Sequence, residues 1–377
     1  MIIEGEQRGS VCGERQAGRG RDKMKKIGVI QLGLSAAGTF LGAGFISGQE
    51  IWSFFGCFGA AGIAGFVANA VLCGVIFYIA VDLVRRTGTE EVGLLMTPGS
   101  GRFFAAAVDF LQFLMLYGIG VIMTAGVSAL LHELTGVPGW AAGLLFSAGV
   151  LIMTFRGVGG LTTVFSFLVP AASLCSVFVA AVLLTRAGFQ FQPPAGAVSP
   201  LMPNLFISVP NYAAYNLLAC VAIMIPYAHI IPDDRTLRRG MCFGMMVLTV
   251  LAGSMIAAFA AYPEAGRSEI PMAALAAEVH PAMHVLYSLM MGFAMFAATL
   301  GSLIALMKQA VCAVPCIGAA EKPFTAAVVF SSWVLSLFGF GTLVGIVYPL
   351  FGYASIPLFA ILIRNYVRTV TASGNEK

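Results

Sequence analysis

The chain has 377 residues, of which 59% are hydrophobic and only 10% charged, and its mean hydropathy is +0.91. No soluble domain of this length has such a composition, so the sequence predicts an all-α polytopic membrane protein embedded in the lipid bilayer. The balance of 21 basic and 17 acidic residues gives no reason to expect a nucleic-acid partner. The cysteines have irregular spacing, which predicts neither a disulfide framework nor a metal site.

Windows of about 20 apolar residues mark candidate membrane spans. Residues 1–26 precede them and mix charges and glycines without an apolar core, which predicts a disordered tail rather than a signal peptide. Ten windows follow: 28–56, 59–84, 103–131, 139–156, 160–186, 212–231, 241–262, 283–307, 324–340 and 342–363. They define a transmembrane domain over residues 27–368 and a second tail over 369–377.

Basic residues predict the orientation of these spans. With the N-terminus in the cytoplasm, every lysine and arginine except Arg186 and Arg267 falls on the cytoplasmic side. An error of one span would distribute these charges over both faces. We therefore expect ten spans with both termini cytoplasmic.

The proline-rich connection 187–211 divides the ten spans into a first repeat, 27–186, and a second repeat, 212–368. Five spans per repeat give the two repeats opposite orientations, which is the arrangement of a five-plus-five inverted repeat. Binding sites in such folds lie near the bilayer midplane, at interrupted helices. Helices 1 and 6 are therefore predicted to be broken.

The first window is too long for one straight helix and contains three closely spaced glycines, Gly42, Gly44 and Gly48. Each glycine inside a helix costs roughly 1 kcal/mol relative to alanine. The same spacing also suits close packing of two membrane helices, which is the alternative interpretation. The polar residues Ser47, Gln49 and Glu50 favour the break, because packing alone does not need an acid within a span.

In the sixth window, Asn211, Tyr215 and Asn216 lie near the outer end and Pro226 lies further in. Proline removes a backbone donor and kinks or ends a helix. These residues are the signals for a break in the sixth span.

Three segments carry a resemblance to a known family: residues 42–51, the pair Tyr215 and Asn216, and residues 269–272. Together they resemble the YkvI-like family of bacterial membrane proteins, itself similar to a remote branch of the amino acid–polyamine–organocation superfamily. The resemblance implies the fold of the leucine transporter, a location in the bacterial cytoplasmic (inner) membrane and a secondary carrier. It does not name the substrate.

The resemblance also implies where a substrate would bind. Backbone groups at the first break would come from Gly42, Ala43, Gly44 and Gly48. Candidate side chains are Ser47 and Gln49, with Tyr215 and Asn216 opposite. Glu50 has two interpretations: it caps the outer half-helix, or it couples a proton or binds a cation or an amine.

Thr299 and Ser302 in the eighth window are three residues apart and share one helix face. In sodium-coupled relatives, hydroxyls of this helix complete a sodium site with carbonyls of the first helix, so these two residues are the ion candidates. The alternative is that both hydroxyls bond back to their own helix.

The sequence has no phosphate-binding glycine loop, nucleophile elbow or two-histidine zinc helix, so we expect neither an enzyme nor an ATP-driven pump. No cofactor is expected beyond sodium or a proton as coupling ion. The favoured function is secondary active transport of a small solute, an amino acid or a related zwitterion or amine. A non-transporting ligand receptor on the same fold and a passive channel are the alternatives, and the oligomeric state is left open.

Overall fold

The computed structural model describes residues 26–88, 95–96, 102–156, 161–188, 190–191, 199–314 and 316–375, and no strand occurs among them. The α-helices are α1 Val29–Phe40, α2 Ala43–Ile46, α3 Gln49–Phe54, α4 Ala61–Thr87, α5 Arg102–Thr135, α6 Gly139–Arg156, α7 Leu161–Arg186, α8 Leu205–Met224, α9 Asp234–Ala261, α10 Pro271–Val279, α11 Pro281–Ala313, α12 Cys316–Ala319, α13 Glu321–Ser336 and α14 Phe340–Asn375. Short 3-10 helices cover Gly56–Phe58, Ile225–His229 and Pro263–Arg267.

Six of the described helices are long and apolar enough to cross a membrane, namely α4, α5, α6, α9, α11 and α14. Two shorter apolar helices, Val29–Phe40 and Pro170–Arg186, are also present. The protein is therefore a helical membrane protein, as the composition predicts. Each of the ten predicted windows overlaps helix, while the number of crossings and the inverted repeat stay predictions.

Two boundaries differ from the sequence prediction. Helix α8 begins at Leu205, within the predicted connection 187–211, because the side chain of Asn204 accepts a hydrogen bond from the Ile207 N–H group (3.1 Å). Pro210 lies inside this helix and does not end it. Proline is tolerated in membrane helices where neighbouring groups form hydrogen bonds with the backbone groups that it frees. Helix α14 continues to Asn375, into the predicted tail 369–377.

The helices pack in two groups. In one group, α1 packs on α9, and α4 packs on both α8 and α9. In the other group, α5 packs on α6, α11 and α13. Helix α14 packs on α8 and also contacts α4 and α5, so it joins the two groups.

Glycines bring α1 and α9 into backbone contact. A Cβ atom added at Gly33 would lie 2.7 Å from the carbonyl oxygen of Gly240. One added at Gly244 would lie 2.5 Å from the carbonyl oxygen of Gly33. Small residues allow membrane helices to approach this closely, so α1 is held by direct contact with α9.

The segment between α9 and α11 is hydrogen-bonded to the first apolar run and to the start of α14. Helix α10 is largely buried, and the N–H group of Met272 donates to the carbonyl oxygen of Ser47 (3.0 Å). The carboxylate of Glu269 accepts from the N–H groups of Phe340 (2.7 Å) and Gly341 (3.2 Å), at the start of α14. Met272 thus fastens α10 to the first apolar run, and Glu269, just before α10, fastens the same segment to α14.

Candidate functional site

The first apolar run is divided into three helical segments. Helix α1 ends at Phe40, α2 spans only Ala43–Ile46, and α3 begins at Gln49. Gly48 between α2 and α3 has a φ angle of 81°, in the left-handed region that favours glycine. A Cβ atom at Gly48 would also lie 2.6 Å from Cγ of Met272, so both conformation and space require glycine there.

Protein donors satisfy several carbonyl groups in this interrupted segment. The hydroxyl of Tyr287 donates to the carbonyl oxygen of Ile46 (2.6 Å), and the Ser47 hydroxyl donates to that of Gly44 (2.7 Å). The Ser47 carbonyl accepts from Met272 in α10. These three carbonyls are therefore occupied by protein groups.

The side chain of Glu50 lies buried at the start of α3, where 4% of the residue is exposed. Its two carboxylate oxygens accept long hydrogen bonds from α8, one from Tyr212 and one from Tyr215, both at 3.4 Å. Among the described residues, no lysine, arginine or histidine nitrogen lies within 4.0 Å of this carboxylate. Among the described residues, the hydrogen bonds to this buried acid come from tyrosine hydroxyls.

Gly44 leaves the space that Glu50 occupies. A Cβ atom on Gly44 would lie 2.2 Å from Oε1 of Glu50, so the carboxyl group would have to move. Glycine at this position therefore lets the carboxyl group pack against the α2 backbone.

Aromatic rings enclose the same carboxyl group. Tyr215 stacks on Tyr348 of α14 with ring centroids 4.4 Å apart and 24° between the planes. Tyr212 packs edge-on against Phe54 at 4.9 Å. We call Glu50, Tyr212, Tyr215 and Tyr348 the Glu50 cluster; it joins α3, α8 and α14.

The cluster can hold a proton or a cation. An isolated buried carboxylate is costly unless it is paired or neutralised. Tyrosine faces attract cations, and tyrosine hydroxyls can donate to a carboxylate. A proton or an ammonium group could each satisfy Glu50.

The remaining residues predicted for substrate binding lie in different surroundings. Gln49 is buried, and its Oε1 atom has no hydrogen-bond partner among the described residues. Asn216 donates to the carbonyl oxygen of Tyr212 in its own helix (2.9 Å). Gly42 is exposed, and a Cβ atom there would meet nothing within 4 Å. The backbone of Ala43 begins α2, while its side chain lies outside the described part.

The ion candidates Thr299 and Ser302 are buried on α11, away from the Glu50 cluster. Their hydroxyls donate to carbonyl oxygens of their own helix, those of Met295 (2.8 Å) and Thr299 (3.0 Å) respectively. Both side chains line a small cavity whose described walls come from α5, α6, α11 and α13, not from the first apolar run. A sodium site shared with the first helix stays a prediction.

The sixth apolar run is continuous where the sequence places the first break signals. Helix α8 passes through Asn211, Tyr215 and Asn216 without interruption. The helix geometry changes at Ile225, where a 3-10 helix containing Pro226 begins. The change in helix geometry in the sixth run therefore coincides with Pro226 and not with the three polar residues before it.

Three tyrosines of this region, Tyr212, Tyr287 and Tyr348, are not among the residues that the sequence singles out. A tyrosine hydroxyl inside an apolar span usually has a polar partner, and this general signal could have found them. Tyr212 also lies three residues before Tyr215 and so shares its helix face. The partners themselves depend on the tertiary structure.

The structure resembles solved membrane transporters over most of its length. With the inward-facing conformation of Mhp1 it has a TM-score of 0.69 at 16% sequence identity, covering 91% of this chain and 77% of that one. With a Na+-coupled sialic acid symporter the TM-score is 0.55 at 12% identity, covering 88% and 78% of the two chains. The chain thus has the leucine-transporter type of fold, and its structural neighbours are transporters rather than enzymes.

No protein-family profile matches the chain. It is 27% identical over 348 residues to the uncharacterized membrane protein YkvI of Bacillus subtilis (strain 168), covering 90% of this chain and 97% of YkvI. It is 23% identical over 350 residues to the uncharacterized protein YyaD of the same strain, covering 86% and 93%. The chain is therefore similar to YkvI along nearly the whole length of both proteins.

Proposed function

We propose that the protein is a secondary active transporter of a small organic solute, an amino acid or a related zwitterion or amine. The observation that carries this proposal is the Glu50 cluster beside the interrupted first apolar run. The fold supports it, because the neighbours include a Na+-coupled symporter and a transporter of the nucleobase-cation-symport-1 family. Alternating access in the bacterial cytoplasmic membrane would move the solute.

The substrate site lies between the interrupted segment and α8. An ammonium group pairs with the carboxylate of Glu50 and faces the ring of Tyr215. The segment that carries Gly42, Ala43, Gly44 and Gly48, with the side chains of Ser47 and Gln49, forms the other wall, and Asn216 lies on α8. Interrupted helices hold substrates in this way in transporters built from inverted repeats.

Protons compete with the amine for Glu50 in this proposal. A bound proton removes the charge that attracts the ammonium group, so amine binding weakens as the pH falls. The same carboxyl group would thereby couple proton movement to solute movement. Sodium coupling is the alternative, and the two are separated by the test below.

A thermal-shift screen tests the proposed site. The detergent-purified protein is screened against amino acids, amines and small carboxylates, in sodium and potassium buffers at two pH values. A ligand at 100 times its Kd stabilises the folded state by about 2.7 kcal/mol. We expect an amine or zwitterion to raise the melting temperature of the wild type and not that of the Glu50→Gln variant.

The matched control is Glu264→Gln, which removes a carboxylate whose side chain is 66% exposed and paired with Arg267. This variant is expected to respond to the ligand like the wild type. An equal ligand response in Glu50→Gln would show that Glu50 does not hold the ligand. A response that needs sodium at both pH values would assign the coupling to sodium.

A further inference from the structure

A groove lies between α4 and α9, apart from the Glu50 cluster. The two helices run in opposite directions, because Tyr78 in the second half of α4 bonds Asp234 at the start of α9 (2.8 Å), whereas Gly74 faces Met245 further along α9. The groove encloses about 650 Å³. Pockets for small organic ligands have volumes of about 300–1,000 Å³, so the groove has room for a molecule or for one chain of a lipid.

Most of the groove wall is apolar and faces away from the protein interior. Five of its apolar residues are between 43% and 64% exposed, namely Val67, Val71, Val75, Met246 and Val250. Thr249 also lines the groove, but its hydroxyl donates to the carbonyl oxygen of Met245 in its own helix (2.7 Å). Such a wall suits an alkyl chain, because burying the chain removes apolar surface from water.

The length of the groove matches the depth of one leaflet of a bilayer. Its lining residues extend from Val67 to Tyr78 in α4 and from Arg238 to Val250 in α9. At a rise of 1.5 Å per residue, these segments are about 16–18 Å long. Half of a hydrocarbon core of about 30 Å is about 15 Å, so a lipid acyl chain can lie along the whole groove.

Arg238 and Tyr78 lie together at one end of the groove. The guanidinium of Arg238 is 5.8 Å from the centroid of the Tyr78 ring. Its Nε and Nη2 atoms both donate to one carboxylate oxygen of Asp234. A guanidinium has five N–H donors, so three remain beyond this ion pair. The Arg238 side chain is 68% exposed, which makes these donors accessible to a ligand.

The charge around this end is positive. Arginines outnumber aspartates at the end of α4 and the start of α9: Arg85, Arg86, Arg235, Arg238 and Arg239 against Asp82, Asp233 and Asp234. The planar guanidinium group matches the geometry of a phosphate. Basic pockets between membrane helices bind anionic lipid head groups. An apolar groove with a cationic end therefore has the charge and polarity of a site for an anionic lipid.

We propose that this groove binds an anionic phospholipid, with the phosphate at Arg238 and one acyl chain along α4 and α9. The predicted orientation places the cationic end at the cytoplasmic face, so the lipid belongs to the inner leaflet. The site is separate from the proposed solute site and does not rest on transport, because lipid binding can be measured in detergent.

The test compares melting temperatures of the delipidated protein with phosphatidylglycerol, with phosphatidylcholine of the same acyl chains and with inorganic phosphate. We expect a saturable rise with phosphatidylglycerol alone. The rise should be lost in Arg238→Gln and kept in Lys308→Gln, a control that removes an exposed lysine of α11. An equal rise with phosphatidylcholine or with inorganic phosphate, or an unchanged rise in Arg238→Gln, would overturn the proposal.

Cys242 keeps the proposal testable if Arg238→Gln does not fold, because its thiol is exposed and lines the groove of the wild type. Its alkylation by N-ethylmaleimide is followed by mass spectrometry of the peptide that carries it. Phosphatidylglycerol should slow this reaction, and phosphatidylcholine should not. Unchanged alkylation would show that the acyl chain lies elsewhere. Alkylation that slows as the protein concentration rises, without lipid, would show that a second copy of the chain covers the groove, and either result would overturn the proposal.

Discussion

At the scale of single residues, the proposed role of Glu50 depends on the tyrosines that contact it. The sequence identifies Glu50 as a candidate because a carboxyl group within an apolar span is energetically costly and is usually functional. Its partners are not visible, because Tyr212 and Tyr215 are 162 and 165 residues away in the chain. Sequence reasoning could therefore select the acid and Tyr215, while Tyr212 and Tyr348 required the packing of α8 and α14 on α3.

Gly42 and Gly44, which look equivalent in the sequence, should respond differently to substitution. In Gly44→Ala the new Cβ atom would displace the Glu50 carboxyl group, since it would lie 2.2 Å from Oε1. We expect Gly44→Ala to lose the ligand-induced thermal shift and Gly42→Ala to remain folded with its shift. The measurement is the thermal shift of both variants with a ligand from the screen, and an unchanged shift in Gly44→Ala would contradict the placement of Glu50.

Tyr287 should stabilise the interrupted segment through its hydroxyl. In Tyr287→Phe the buried carbonyl oxygen of Ile46 loses its donor, which typically costs about 1–3 kcal/mol. Denaturant unfolding in detergent measures the loss. The control is Ser288→Ala, because the buried Ser288 hydroxyl has no hydrogen-bond partner among the described residues. Equal stability of Tyr287→Phe and the wild type would show that the bond contributes nothing.

At the scale of helices, glycine and proline signals predicted the local structure unevenly. The glycines of the first apolar run do coincide with the division into α1, α2 and α3. In the sixth run, Asn211, Tyr215 and Asn216 lie within continuous helix. The amide of Asn211 donates to the carbonyl oxygen of Pro349 in α14, while that of Asn216 donates to Tyr212 in its own helix. A polar residue such as Asn211 can thus join two helices instead of ending one, and sequence alone does not separate the two roles.

Helix α1 should depend on glycine at its contact with α9. In Gly244→Ala the methyl group would lie 2.5 Å from the Gly33 carbonyl oxygen, which forces α1 and α9 apart. Overpacking of this kind typically costs about 1–3 kcal/mol. Gly253→Ala on the same helix is the control, because a Cβ atom there meets nothing within 4 Å. Thermal unfolding of both variants measures the difference, and equal melting temperatures would contradict the close contact.

At the scale of the whole molecule, composition and hydropathy were sufficient to predict a helical membrane protein, because only helices and closed barrels satisfy their backbones in lipid. The grouping of helices depends on contacts between residues far apart in the chain, so composition could not supply it. The leucine-transporter type of fold followed in the sequence from the resemblance of short motifs. The distribution of basic residues predicts the orientation and the count of ten spans. The inverted repeat is predicted from five spans in each repeat. All three remain predictions.

Cysteine labelling tests the orientation. Arg267 and Arg368 are separated by three predicted spans and should lie on opposite faces of the membrane. In a variant without native cysteines, Arg267→Cys should react with an impermeant maleimide in intact cells, whereas Arg368→Cys should react only after permeabilisation. Labelling of both positions from the same side would contradict the predicted topology.

Solute counterflow in proteoliposomes tests the central claim, that the protein is a carrier whose substrate site includes Glu50. Vesicles are loaded with an unlabelled ligand from the thermal-shift screen and diluted into a trace of the labelled ligand. A carrier accumulates the tracer transiently, with rates that saturate, and the Glu50→Gln variant should not. Ligand binding without any accumulation would contradict transport and indicate a receptor, while a flux that never saturates would indicate a channel.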